Sequence, residues 1–124
     1  MLEIRESKDK KRAQEFVKEQ GFNYDISDDI VMVCTDGNEI LGVSALSLRG
    51  TKVCLDLILT TADANDMAFK ISLARAIMNL ADLRGIKEIY GSCPELSELY
   101  EMLRFKKEEG EYRLSLDGYF TAGH

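Results

Sequence analysis

The chain is predicted to be an α/β protein, a single mixed β-sheet with helices on both faces in the order β-α-β-β-β-α-β-α-β-β. Three observations lead there. Residues 52–91 read as a strand, a long helix and a strand in succession, which demands a right-handed crossover and a local parallel pair. Residues 30–60 hold three apolar runs whose connections are short enough to force antiparallel hairpins. The 124 residues, 45% hydrophobic and 31% charged, suffice for one core and not for two, so 1–124 is read as one domain.

Residues 2–6 alternate apolar and polar side chains, the period of a strand. Ser7 follows as a candidate N-cap, and Ala13, Phe16, Val17 and Gln20 hold helical spacing until Gly21 ends it. Residues 22–29 are polar and turn-like, with no room for a long second helix. Asp36-Gly37-Asn38 separates residues 30–35 from 40–47 as a hairpin, because glycine and asparagine tolerate positive φ. Arg49-Gly50-Thr51 turns the chain into residues 52–60. From 67 to 84, Met67, Ile71, Ala74, Ile77, Met78 and Ala81 keep a 3.6-residue period that Gly85 stops. Residues 87–91 form a short strand, and Pro94, which needs no backbone donor in a first turn, leads into a helix over 96–103. Residues 105–108 and 112–116 close the chain as a hairpin across Glu109-Gly110.

A net charge of −6 speaks against nucleic acid as a main partner, since phosphate binding needs a basic stripe. Glu95, Glu98, Glu101, Glu108, Glu109 and Glu111 read as a solvated face, the alternative being a mild preference for cationic partners. No apolar run is long enough to span a bilayer and no signal pattern opens the chain, so a cytoplasmic protein without a membrane partner is expected. Cys34, Cys54 and Cys93 make neither a disulfide framework nor a zinc pattern, and the first two read as buried hydrophobes. With His124 as the sole histidine, no metal site and no histidine triad is expected. Met67, Met78 and Met102 read as core filler, and Tyr24, Tyr90, Tyr112 and Tyr119 as tyrosines without a constellation. Tyr119-Phe120 reads as an ordinary apolar tail or else as a self-association edge.

Leu99-Tyr100-Glu101-Met102-Leu103-Arg104-Phe105 resembles the "lYeklGF" run of the GNAT family of N-acetyltransferases, and Gly85-Ile86-Lys87-Glu88-Ile89 looks like that family's turn from its long helix into the next strand. The resemblance extends over nearly the whole chain, and residues 55–80 align without gaps to the family's strand, phosphate loop and helix. It implies a GNAT-like fold and an acetyl-CoA-dependent enzyme that moves an acetyl group directly onto an amine. The acceptor would be a small amine or a protein amino group, and two copies would pair through a sheet edge or C-terminal strand.

By the same resemblance, Tyr100 is the general acid that protonates the departing thiolate. Asp56 is the candidate general base, with a plain surface aspartate as the other reading; period-two alternation places it opposite Leu55 and Leu57. The main chain of Leu57, Leu59 and Thr60 would pair with the pantetheine arm, and Cys93 stands where the family often has an asparagine. The phosphate signature Q/R-x-x-G-x-G/A falls on residues 65–70. Its glycines let a diphosphate approach main-chain N–H groups at a helix N-terminus. Here Asn65 reads as a phosphate contact or a simple N-cap, and Phe69 lies between the two substituted positions. Ala68 replaces the first glycine with a single added methyl, and Lys70 replaces the second with a long cation that either fills the cradle or pairs with the phosphates. Asp66 would repel them. The alternative function is therefore a non-catalytic GNAT-like domain with a degenerate phosphate loop, kept for binding or scaffolding.

Overall fold

The computed structural model describes residues 1–120, so the sole histidine, His124, lies outside the described residues. The strands are β1 (Leu2–Glu6), β2 (Ile30–Asp36), β3 (Glu39–Arg49), β4 (Lys52–Thr60), β5 (Glu88–Gly91), β6 (Lys106–Glu108) and β7 (Glu111–Ser115). The helices are α1 (Lys11–Glu19), α2 (Met67–Leu83) and α3 (Ser97–Met102), with 3₁₀ turns at Ala62–Ala64 and Pro94–Leu96. One seven-stranded sheet runs β1-β2-β3-β4-β5-β7-β6. Its single parallel pair is β4 with β5, across the α2 crossover, and every other neighbouring pair is antiparallel. The predicted element order and mixed sheet are those observed.

Each face of the sheet carries its own core. On one face, α2 and α3 bury Leu46, Leu55, Ile58, Leu73, Ile77 and Tyr100. On the other, α1 packs Ala13, Phe16 and Val17 over Val31, Val43 and Leu57. Leu55 and Leu57 therefore lie on opposite faces, contrary to simple alternation. The register explains it: Ala45 pairs with Leu57 and Leu46 with Leu55, which leaves Asp56 as the extra residue of a β-bulge. No helix forms between α1 and β2, as expected. Instead the Gln14 side chain donates to Tyr24 O at 2.7 Å and accepts from Ile26 N–H at 2.9 Å, holding that loop against α1.

The N-terminal cap of α1 differs from the prediction. Ser7 Oγ donates to Asp9 O, Lys10 holds the cap position, and Asp9 Oδ1 accepts the Lys11 N–H at 3.1 Å. A carboxylate two residues before the helix thus does what the serine was expected to do. Met78 is fully buried and Met67 partly so, but Met102 is 53% exposed at the end of α3 and fills no core. Cys34 and Cys54 are buried free thiols, as predicted. Tyr119 and Phe120 stack edge to face and pack on the α2-side core, so the apolar-tail reading describes them.

Candidate active site

β4 and β5 pair at a single register position, Cys54 with Tyr90. Beyond it β5 ends at Gly91 while β4 continues to Thr60, so the sheet opens between them. Along residues 57–60, β4 has no strand partner on the β5 side among the described residues. A parallel pair that diverges in this way exposes main-chain donors and acceptors to whatever lies in the gap. Thr61, just past β4, has a buried hydroxyl oxygen without a hydrogen-bond partner.

Tyr100 reaches this gap from α3. The run that carried the family resemblance is a helix-terminating Schellman motif. Arg104 N–H donates to Glu101 O at 3.0 Å and Phe105 N–H donates to Tyr100 O at 2.9 Å. The Phe105 ring then packs on Tyr100, with centroids 5.1 Å apart. On its other side the ring lies over Gly91, where a Cβ would stand 2.3 Å from Tyr100 Cζ. Glycine at 91 is thus a steric condition for the tyrosine's position. The side chain is fully buried. Its hydroxyl donates to Leu55 O at 2.6 Å, accepts from Cys93 N–H at 3.4 Å and stands 3.3 Å from Asp56 Oδ1. Burial first, and then the neighbouring Asp56 charge, push this phenol far above its usual pKa.

Asp56 projects from the bulge into the same gap with only 11% of its side chain exposed. Oδ1 accepts the Ser92 N–H at 2.9 Å, bridging β4 to the residue after β5. Oδ2 has Arg49 Nη2 at 2.9 Å as an ion-pair neighbour, yet that contact is out of line for a hydrogen bond and the buried oxygen keeps an open acceptor direction. The two residues predicted to carry the chemistry are therefore in contact, and Asp56 is not the plain surface aspartate of the other reading. Cys93 contributes a main-chain donor to Tyr100, while its Sγ donates to Glu95 Oε2 at 3.1 Å.

The phosphate loop departs from expectation. Asp66, not Asn65, caps α2: its Oδ1 accepts the Phe69 N–H at 2.8 Å. The Phe69 ring packs on the core beside β3, where a Cβ on Gly42 would stand 3.1 Å from Phe69 Cε2. Ala68 is exposed and Lys70 half-buried. The residues present thus fit a pantetheine arm through the edge of β4 at 57–60, which has no strand partner on the β5 side among the described residues. They do not fit a diphosphate as the loop stands.

Sequence reasoning missed a polar group on the α1 face of the sheet. Asp29, Ser47 and Asp56 each hold a buried oxygen without a hydrogen-bond partner. Tyr24 lies beside the first two, and Arg49 reaches the third. Burial pushes the Asp29 carboxyl above its usual range, against the opposing pulls of the Tyr24 hydroxyl and the Lys10 ammonium. Tyr24 was expected to have no constellation; it gains one only because β2 and β3 pair Ile30 with Leu46 and so bring Asp29 to Ser47. Tyr112, also expected to stand alone, donates to Glu101 Oε2 at 2.9 Å and packs on Tyr100 with centroids 4.9 Å apart.

Of at least five open hollows on the described surface, the largest about 600 Å³, two hold about 260 Å³ each. One, lined by Ser92, Cys93, Pro94, Ser97, Lys107 and Tyr112, adjoins the gap. The other, by Arg5, Lys8 and Arg12, lies against the N-terminus of α1 and away from all of these groups. Chemistry, and not size, selects the first.

No protein-family model matches the sequence, and no curated protein matches it. Solved structures do match. A protein of Desulfovibrio desulfuricans assigned to the GNAT acetyltransferases superposes with a TM-score of 0.73 at 11% identity, over 94% of this chain and 99% of its own. A GNAT acetyltransferase from Elizabethkingia anophelis, solved with acetyl-CoA bound, gives 0.67 at 12% identity, over 93% and 98%. An N-acetyltransferase from Staphylococcus aureus Mu50 gives 0.66 at 19% identity, over 94% and 99%. At such identities the likeness is one of architecture, and the architecture is unambiguous: this chain has the fold of the GNAT N-acetyltransferases.

Proposed function

We propose that the protein is an N-acetyltransferase that moves an acetyl group directly from acetyl-CoA to a primary amine, either a small molecule or a protein amino group. The observation that carries this reading is the meeting of Tyr100 and Asp56, 44 residues apart in sequence and 3.3 Å apart in space, where the sheet opens. The Elizabethkingia neighbour binds acetyl-CoA on the same fold, which supports that donor. Bound, the donor supplies an activated thioester carbonyl.

The chain's own residues divide the remaining work. The main chain of Leu57, Leu59 and Thr60 offers pairing groups to a pantetheine arm. The open acceptor direction of Asp56 Oδ2 takes the proton that an ammonium must lose before it can attack. Tyr100 holds one proton, donated in the resting state to Leu55 O. To serve as acid it must release that carbonyl, and its raised pKa makes it a reluctant donor until a thiolate charge develops beside it. Titration calorimetry with acetyl-CoA tests the reading first. Where binding is seen, Tyr100→Phe should lower kcat by about 10²-fold with little change in donor affinity. Unchanged turnover in that variant would remove Tyr100 from the reaction.

A second reading is favoured by the Asp66 cap together with the Tyr100 bond to Leu55: a GNAT-fold binding or scaffold module without turnover. Absence of both binding heat and thermal shift at millimolar acetyl-CoA would select it.

A further inference from the structure

We propose that the Asp66 carboxylate occupies the place of a donor phosphate, so that the protein grips its donor by the pantetheine thioester and not by the nucleotide end. This rests on the acyl-transfer reading above and names the donor chemistry of the same site. An α-helix opens with four N–H groups that lack intrahelical partners, and these are the groups an anion uses. In α2 they belong to Asp66, Met67, Ala68 and Phe69. Asp66 N–H donates to Ala64 O at 2.9 Å, and Phe69 N–H donates to Asp66 Oδ1 at 2.8 Å. Only the groups of Met67 and Ala68 are left to an outside anion.

The charge in the loop points the same way. Asp63 and Asp66 set two carboxylates against the single ammonium of Lys70, where a diphosphate needs net positive potential. A bound diphosphate would have to displace the cap, leaving Asp66 close to phosphate oxygens of its own sign. Nothing comparable obstructs the pantetheine half. Residues 57–60 pair with β3 on one side and have no strand partner on the β5 side among the described residues, so their main-chain groups face the gap. The anion position is filled from within, while the neutral arm's position is open.

The test compares acetyl-CoA, S-acetylpantetheine and ADP on the full chain by titration calorimetry. The two thioesters are expected to bind within about threefold of one another, and ADP to give no heat. A preference of about tenfold or more for acetyl-CoA would overturn the inference while leaving acyl transfer standing. Failure of both thioesters to bind would end the acyl-transfer reading and this inference with it. Asp66→Asn keeps a capping side chain without the charge, so the helix stays closed. That variant should strengthen acetyl-CoA binding by about threefold or more and leave S-acetylpantetheine unchanged. Asp66→Gly with Ala68→Gly and Lys70→Gly should strengthen it further. If both variants leave acetyl-CoA affinity where it was, Asp66 is not the obstacle and the inference fails.

Discussion

Asp29 sits 7% exposed beside Ser47, one carboxylate oxygen unpartnered, with its carboxyl held above the usual carboxylate range chiefly by burial. Because the folded state binds that proton more tightly than the unfolded chain, the group stabilises the fold below about pH 4. That contribution is lost as pH rises through the folded-state value, and at neutral pH the ionised, partly dehydrated group weighs against the fold. Asp29→Asn should therefore be more stable than the parent at pH 7, with the difference shrinking as pH falls toward 4. Urea titrations at both values measure it. A variant less stable at pH 7 would mean that Tyr24 and Lys10 do more for the carboxylate than burial does against it. Single residues were also where the sequence was most uneven as a guide. Tyr100 and Asp56 stand out in the sequence through the run and strand that hold them, but their contact at 3.3 Å does not, because it joins elements 44 residues apart. The Asp29–Ser47–Tyr24 group was not, because three elements assemble it and no local spacing records strand register. Asn65 and Asp66 are adjacent residues of nearly equal capping power, so only the backbone decides between them.

At the scale of elements, all three helices end in the same way. Phe22 N–H donates to Val17 O after Gly21, Ile86 N–H to Ala81 O after Gly85, and Phe105 N–H to Tyr100 O after Arg104. The residue in the left-handed region is glycine in the first two cases and Arg104, at φ 71°, in the third. A side chain there costs about 1 kcal/mol relative to glycine. Arg104→Gly should raise stability by about that amount in denaturant melts, and no gain would show that the arginine makes offsetting contacts. The ends of α1 and α2 were legible because glycine at such a position has a fixed backbone meaning, and that of α3 only through the run around Arg104. The bulge in β4 was not: nothing in Leu55-Asp56-Leu57 distinguishes a regular strand from one with an extra residue. Its consequence is testable by deletion. Without Asp56, Leu55 and Leu57 stand consecutively opposite Leu46 and Ala45, so residues 57–60 keep their faces and Leu57 and Ile58 keep their separate cores. The deletion should therefore still unfold in one cooperative thermal transition, as should Asp56→Gly, which keeps the bulge and removes only the carboxylate. Loss of cooperative unfolding in the deletion alone would mean that the bend of the bulge, and not the pairing on either side of it, holds the two cores in place.

For the whole molecule the governing quantity is charge. A chain of net charge −6 that binds a polyanionic donor works against its own field unless a cationic clasp sits at the contact. At the opening of α2, where the family resemblance implies such a clasp, the Asp66 carboxylate accepts the Phe69 N–H. Long-range repulsion between protein and donor should therefore be left uncompensated, and salt should relieve it. Raising ionic strength from about 0.02 M to about 0.3 M shortens the screening distance from roughly 20 Å to about 6 Å, less than the width of the loop and its acidic surroundings. Acetyl-CoA affinity should then rise, by about two- to fivefold, while uncharged S-acetylpantetheine stays constant over the same range. The direction is the informative part, because phosphate held by lysine or arginine contacts weakens with salt. If calorimetry finds acetyl-CoA binding weakened at high salt, Lys70 has swung in as a counter-ion, and residues 65–70 hold the diphosphate by a cation and not by glycine-lined main-chain groups.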